Sequence, residues 1–436
     1  MASTYLSKTY GSSGNRQRQA ISVWVKRAKL ADTQTIFWSN GGASYYAHLR
    51  FKSDDTLQYY AHNTCNLKTN RKFRDTNAWY HICVTLDTPQ ATEADRLKIY
   101  VNGVAETSFS TASYPSQNAE VKFADDNIHH IGQSDSGSYF DGSMSHFHFV
   151  TNTAYDASAF GSTDATTGEW KINTSPSVTY ATNSFFVLKD GNSGTDQSGQ
   201  GNNYSVGGGT LTKTEDCPSN VFATGNPLFV KLGTWSNGNN SIVGSSSTGV
   251  RPQMWSTLGA KTGKFYAEAK YTDASGGMVG VSDYTATSSL IISGLYQGGV
   301  TGSVGFWHGG AKYINDLSAS YGSAWNNNDI IQIALDLDNS CVYFGINGTW
   351  QDSGDPTSGS SKTGGITLTN TRDEDWFMSW GDGANTDTAT CHVNYGNGYF
   401  GTTAVSSAGT NASGNGIFEY DVPTGYTALS TKGLNL

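Results

Sequence analysis

Charge is scarce in this chain. Only 14% of its 436 residues are charged, and the net charge is −9. No Lys/Arg-rich block occurs, which removes the electrostatic footprint of a nucleic-acid-binding protein. Cysteine is scarce too: Cys65, Cys83, Cys217, Cys341 and Cys391 are odd in number and far apart. That argues against a disulfide framework, and the lack of C-x-x-C argues against zinc; buried free thiols made in a reducing cytosol are expected instead. Long apolar runs are missing, so no membrane-spanning segment is expected. The opening "MASTYLSKTYGSSGNRQRQ" lacks the apolar core of a secretory signal. Long helical periodicity is missing as well. Neither a P-loop nor a G-x-S-x-G occurs, so nucleotide and nucleophile-elbow chemistry have no support.

What is present is glycine (51 residues) and aromatics (12%, with 24 Tyr, 19 Phe and 11 Trp). Short aromatic and β-branched runs between Gly-rich turns read as all-β. In "AISVWVKRAKLA", Ile21, Val23 and Val25 alternate with Ser22, Trp24 and Lys26, which gives a strand with two distinct faces. "NAWYHICVTLD" places Tyr80, Ile82, Val84 and Leu86 on one side, and "GKFYAEAKY" does the same with Phe265, Ala267, Ala269 and Tyr271. One phrase occurs twice. "IYVNGV" (Ile99 to Val104) and "FGINGTW" (Phe344 to Trp350) each place Asn-Gly between strand-like flanks, after a strand ending in Leu-Asp. Asn-Gly suits a type I′ turn, because both central residues need positive φ. The echo is read as two equivalent hairpins rather than two active sites.

These patterns predict a β domain over 1–165 and a Gly/Ser/Asn-rich connector over 166–217. A second β domain over 218–400 and a docking tail over 401–436 follow. "SFFVL" (Ser184 to Leu188) is a strand expected to join either domain.

The first domain, through "ISVWVKR", "AWYHICVTLD", "RLKIYVNGV" and "YFDGSMSHFHF", resembles laminin-G-like, concanavalin A-like jelly rolls. The second, through "GMVGVSD", "VGFWHGG", "DIIQIALDLDNSCVYFGINGTW" and "WFMSWGDG", resembles a SPRY domain. Across nearly its whole length, from "MASTYL" through "DQSGQGNNYSV" and "PSNVFATGNPL" to "VPTGYTALSTKGLNL", the chain resembles structural proteins of tailed bacteriophages, marine ones in particular. The resemblance implies two lectin-like jelly-roll β-sandwiches in a non-enzymatic virion component made in the host cytoplasm. Such a component would be tail-fibre-like or surface-exposed, binding a host-surface glycan or another virion protein, with homo-oligomers among the expected assemblies. The alternatives are a purely architectural capsid decoration or fibre subunit with no host ligand, and a polysaccharide depolymerase.

Candidate sites follow from residue chemistry. Sugars stack on Trp and Tyr while Asn, Asp and backbone groups bond their hydroxyls. The loops "GFWHGGAKYIND" and "SAWNNND" combine these types, so Trp307, His308, Tyr313, Trp325 and Asn326 are the ligand-binding candidates. Trp24, Trp79 and Trp350 sit in strand or hairpin patterns and are expected in the core. His146 and His148, two apart on a strand, share a face and with Asp141 form a candidate metal set; the alternative is a polar face opposite core Phe147 and Phe149. Acidic loops at Asp54, Asp55, Asp125, Asp126 and Asp141 are candidates for a structural Ca²⁺ at a sandwich rim, and no other cofactor is expected. Asp336 and Asp338 share a strand face, which is one arrangement for glycoside hydrolysis, but Asp338-Asn339 reads better as a turn. The acidic "TRDEDW" (Thr371 to Trp376) precedes a strand in a loop-like context.

Overall fold

The computed structural model describes residues 3–134, 137–189, 193–231, 233–244, 251–369, 373–384 and 388–435. The chain divides into two compact units, 1–213 with 217–219 and 214–216 with 220–436.

Unit 1 is a sandwich of two antiparallel sheets. Eight strands run in the order Phe109–Ser113, Cys65–Lys72, Thr56–Ala61, Tyr46–Phe51, Gln34–Asn40, Ile128–Ile131, Tyr5–Thr9 and Ser205–Gly208. Six run in the order Phe185–Val187, Gly142–Thr151, Arg18–Arg27, Trp79–Asp87, Leu97–Val101 and Val104–Ala105. Period-two alternation feeds the core between them: Ile21, Val23 and Val25 meet Ile82, Val84, Leu86, Leu49, Phe37 and Phe147. Ser22, Trp24 and Lys26, on the opposite face of their strand, are buried as well. A second apolar cluster covers that outer face, with Ala20, Cys83 and Val150 under Ala157, Phe160, Trp170 and Tyr180.

The stretch 166–217 is therefore not a connector. It contributes Trp170–Ile172, Phe185–Val187 and Ser205–Gly208 to unit 1, and Phe185–Val187 pairs with Gly142–Thr151. Its Gly/Ser/Asn composition reflects tight turns between short strands.

Unit 2 repeats the plan. One sheet runs Gly225–Lys231, Gln253–Ser256, Trp376–Asp382, Gly277–Asp283, Ser303–Trp307, Ala311–Ile314 and Leu317–Ser320. The other runs Thr234–Ser236, Ser241–Val243, Thr390–Asn394, Lys264–Asp273, Ile330–Asp336, Cys341–Ile346 and Thr349–Trp350, with Ile366–Thr367 and Thr427–Ala428 added at its sides. Phe265, Ala267, Ala269 and Tyr271 face the core. Tyr266, Ala334, Cys341 and Tyr343, on the outer face, lie under Phe418, Val422 and Tyr426 of a C-terminal strap. One α-helix is present among the described residues, Tyr284–Ser293; the Asp283 carboxylate caps it and Gly294 (φ 78°) ends it. No described helix is long and apolar enough to cross a membrane.

The echoed phrase has the same wiring in both units. Asn102 and Gly103 take φ of 48° and 79°, and Asn347 and Gly348 take 49° and 83°. The Asn102 side chain accepts the His81 N–H at 2.8 Å while the Asn102 N–H bonds the His81 carbonyl at 2.9 Å. Asn347 treats Ile330 identically, at 2.8 and 2.9 Å. The Asp that ends the preceding strand pairs across the sheet with a cation in both: Arg18 with Asp87 at 3.0 Å, Lys264 with Asp336 at 2.9 Å. A ring from a later segment then sits on each turn glycine. A Cβ at Gly103 would overlap Trp170, and one at Gly348 would lie 2.8 Å from the Tyr420 ring.

Candidate functional site

The strands Tyr46–Phe51 and Thr56–Ala61 alternate two kinds of residue. Ala47, Leu49 and Phe51, with Leu57, Tyr59 and Ala61, enter the unit 1 core. Tyr46, His48 and Arg50, with Gln58 and Tyr60, must then point to the opposite face. Register aligns these side chains across strands. His130 lies opposite Trp38, Trp38 opposite His48, His48 opposite Tyr60, and Tyr60 opposite Asn66. At about 4.8 Å per strand the row from His130 to Tyr60 spans about 14 Å, room for a short oligosaccharide.

The rings pack in two sets along this row, together called the ladder. His130 and Trp38 lie 5.0 Å apart, and His48 stacks on Tyr60 at 5.0 Å and 18°. Tyr46 closes on Tyr60 at 5.7 Å and on His62 at 5.1 Å. Trp38 and His48 form the buried floor, while Tyr46, Tyr60 and His62 are half-buried. Polar groups run alongside: Arg50 donates to Gln58 at 3.2 Å and Gln58 to Asn66 at 2.9 Å. Burial, reinforced by the Arg50 guanidinium, lowers the His48 pKa to about 3. The ring is neutral and buried, bonded to Gln58, and serves as apolar floor rather than as a hydrogen-bonding group for a ligand. Aromatic faces beside amide, guanidinium and imidazole groups make a surface suited to a polyhydroxylated ring. The described apolar clusters cover the outer face of the other sheet and do not extend over this one.

The unit 2 loop candidates separate in the fold. Trp307 and His308 are half-buried with ring centroids 4.5 Å apart. Trp325 is 1% exposed, packed on Tyr271 at 4.6 Å. It is a core residue, because the loop carrying it turns inward through its N–H bond to the His308 carbonyl. Tyr313 sits on the next hairpin, edge-on to Tyr296 at 5.2 Å, and Asn326 is exposed with its N–H on Asp329.

The metal candidates do not converge. Phe147 and Phe149 enter the core, and His146 and His148 face outward near Phe186. His148 is buried, its Nδ1 2.7 Å from the Tyr180 hydroxyl, and desolvation holds it neutral. His146 occupies a bulge (φ 47°) beside the Ser145 hydroxyl. Asp141 lies seven residues from His148, about 20 Å along an extended chain. Three of the five acidic candidates for Ca²⁺ are engaged by cations. Asp54 pairs with Lys68, Asp55 with Arg27 and Arg74, and Asp125 with Arg16. No His/Cys/Asp/Glu cluster among the described residues has metal-binding geometry.

Catalytic arrangements fare no better. Asp336 is fully buried against Lys264 and accepts from Asn339, while Asp338 accepts the Gly263 N–H at 2.7 Å. Asp336 holds the turn, and Asp338 ties it to the loop at Gly263. Ser22 and His81 form a buried pair at 2.8 Å that mimics a nucleophile–base dyad. The Trp170 indole N–H, which can only donate, meets His81 Nδ1 at 3.0 Å. The His81 proton is therefore on Nε2 and points at the serine, the wrong tautomer for a base. In "TRDEDW", Glu374 accepts from Thr285 at the helix start, and Thr371 and Arg372 lie outside the described residues. Cys65, Cys83, Cys341 and Cys391 are buried free thiols, and Cys217 is half-buried.

Residues 2–159 match the family described as the concanavalin A-like lectin/glucanases superfamily. No curated protein matches the chain. Among solved structures, the SPRY domain of human HERC1 is 14% identical, covering 39% of this chain and 96% of its own, with a TM-score of 0.30. The TRIM65 PSpry domain is 13% identical over 39% of this chain and 91% of its own, with a TM-score of 0.29. A heptameric SAP-like pentraxin from Limulus polyphemus is 17% identical over 35% of this chain and 71% of its own, with a TM-score of 0.27. Identities this low bring no ligand with them. Unit 1 thus matches the lectin/glucanase superfamily over most of its sandwich, in a chain that is all-β throughout.

Proposed function

We propose that the protein is a non-catalytic structural component of a tailed-phage particle, seated among other virion proteins, that binds a host-surface saccharide through unit 1. The aromatic ladder at Trp38, His48, Tyr60 and Tyr46 carries the binding half of this reading. The full-length resemblance to phage structural proteins supports the virion half. Affinity at one ladder is weak, and many copies on a particle multiply it.

Two experiments test the halves separately. Peptides of this chain are expected in the mass spectra of purified particles; their absence defeats the virion assignment. Labelled protein at micromolar concentration is expected to bind susceptible cells with or without calcium. Tyr46→Ala with Tyr60→Ala is expected to weaken that binding at least tenfold while the protein still unfolds cooperatively, at a melting temperature lowered by the lost ring packing. A wild-type protein that ignores the cells, or a variant that binds as well as wild type, defeats the saccharide reading.

A further inference from the structure

Unit 2 holds a concave site that the ladder does not use. A groove of about 410 Å³ opens between the strap and the segment following the Asn347-Gly348 hairpin, lined by Trp350, Asp355, Thr357, Thr410, Asp421 and Pro423 among others. Trp350, expected in the core, is half-buried and forms one wall.

The polar lining is one-sided. Asp355 Oδ1 accepts both the N–H and the hydroxyl of Thr357, at 2.8 and 2.6 Å. Asp421 Oδ1 accepts both from Thr410, at 2.6 and 2.8 Å. These bonds hold both carboxyls below the ordinary range, so both are ionised at neutral pH. Each threonine has spent its hydroxyl proton on the neighbouring aspartate, so these hydroxyls can only accept from a ligand. Neither carboxylate has a basic partner among the described residues, and none of the groove's lining residues is Lys, Arg or His.

The groove therefore presents two negative charges, free acceptor lone pairs and an indole wall, with the Thr424 hydroxyl and the Trp350 indole N–H as its neutral side-chain donors. A neutral acceptor gains little here. A hard divalent cation wants six or more oxygens and no aromatic wall. A protonated amine supplies the charge and the donors, and its carbon frame lies against the indole, where cation–π attraction adds to the carboxylates. We propose that this groove binds a protonated primary amine carried on a small organic frame, such as an unacetylated amino sugar. The site is independent of the unit 1 ladder, so failure here leaves the saccharide reading intact.

Saturation-transfer NMR on the full chain tests it with four probes: glucosamine, N-acetylglucosamine, glucose and cadaverine. Glucosamine is expected to bind with a dissociation constant in the range of about 1–20 mM, at least fivefold tighter than its two neutral counterparts. Binding by cadaverine as tight as that of glucosamine supports the amine and assigns recognition to it alone; weaker cadaverine binding supports the amine on a sugar ring. Asp355→Asn and Asp421→Asn, which keep the threonine contacts, are each expected to weaken glucosamine binding at least fivefold. Raising salt from about 0.05 to about 0.5 M weakens the wild-type interaction and needs no variant, so the test survives an unstable substitution. Equal binding of glucosamine and glucose, binding unchanged by salt, or no glucosamine binding at about 50 mM would overturn the proposal.

Discussion

The strap over unit 2 is held by a buried carboxylate, and its stability should depend on pH through that one group. Glu268 is fully buried. It accepts the backbone N–H groups of Glu419 and Tyr420, each at 2.9 Å, and the Tyr266 hydroxyl at 2.8 Å. Desolvation raises its pKa from an ordinary 4.5 to about 7, against the opposing pull of those donors. With the strap open, the carboxyl meets water and returns towards its ordinary value. The closed form thus holds an extra proton between those two values, and closure weakens as pH rises through about 7. The full difference is worth about 3 kcal/mol, of which about 2 kcal/mol is lost between about pH 5.5 and about pH 7.5. Hydrogen exchange of peptides spanning 416–430, corrected for the intrinsic rate, should therefore show protection falling about twentyfold over that interval. Glu268→Gln cannot titrate. It also turns an N–H₂ towards a strap N–H, so it should be less protected at low pH and flat across the range. Matching pH profiles in wild type and Glu268→Gln would refute the reasoning.

Four further outcomes follow from the echoed hairpins and the thiols. Gly103→Ala combines a positive φ with overlap on the Trp170 ring and should cost about 2–4 kcal/mol in urea unfolding. Gly348→Ala, facing Tyr420 at 2.8 Å, should cost less. Asn347→Ala removes the acceptor for the Ile330 N–H and should cost about 1–2 kcal/mol, read from the same curves. Under native conditions a thiol reagent should label Cys217 first, because burial raises the thiol pKa at Cys65 and Cys391 to about 12; rapid labelling of either would contradict their packing.

Much of the fold was legible because alternation has a single structural meaning. Ile21, Val23 and Val25, and likewise Phe265, Ala267, Ala269 and Tyr271, entered the cores their spacing implied. The Asn-Gly turns were legible for the same local reason. The covering of the unit 1 outer face was not, because Trp170 arrives from a segment whose Gly/Ser/Asn content reads as connector; the tail over 401–436 reads as a docking segment, but nothing in it names the face it docks on. Trp325 reads as an exposed loop residue between Ala324 and Asn326, yet long-range packing on Tyr271 takes it inside. The ladder left a signal in "YYAHLRF" and "LQYYAHN", where polar aromatics recur every second residue. Only strand register turns those separate alternations into one row. The groove left no comparable signal, since its walls come from hairpin and strap residues about 60 positions apart, such as Trp350 and Thr410.

The covering segments also set a timetable for synthesis. In each unit the ring that seats on the hairpin glycine is encoded some 70 residues after it, Trp170 after Gly103 and Tyr420 after Gly348. At about 5–20 residues per second, a ribosome takes roughly 4–14 s to deliver the cover. Late in that interval, once Trp376–Asp382 and Thr390–Asn394 have joined the two sheets, Tyr266, Ala334, Cys341 and Tyr343 still present an uncovered apolar sheet face. Nascent chains are thus most prone to sticking to one another late in translation, and a ribosome stalled just upstream of codon 418 should release a product that aggregates despite carrying almost every strand of both sandwiches.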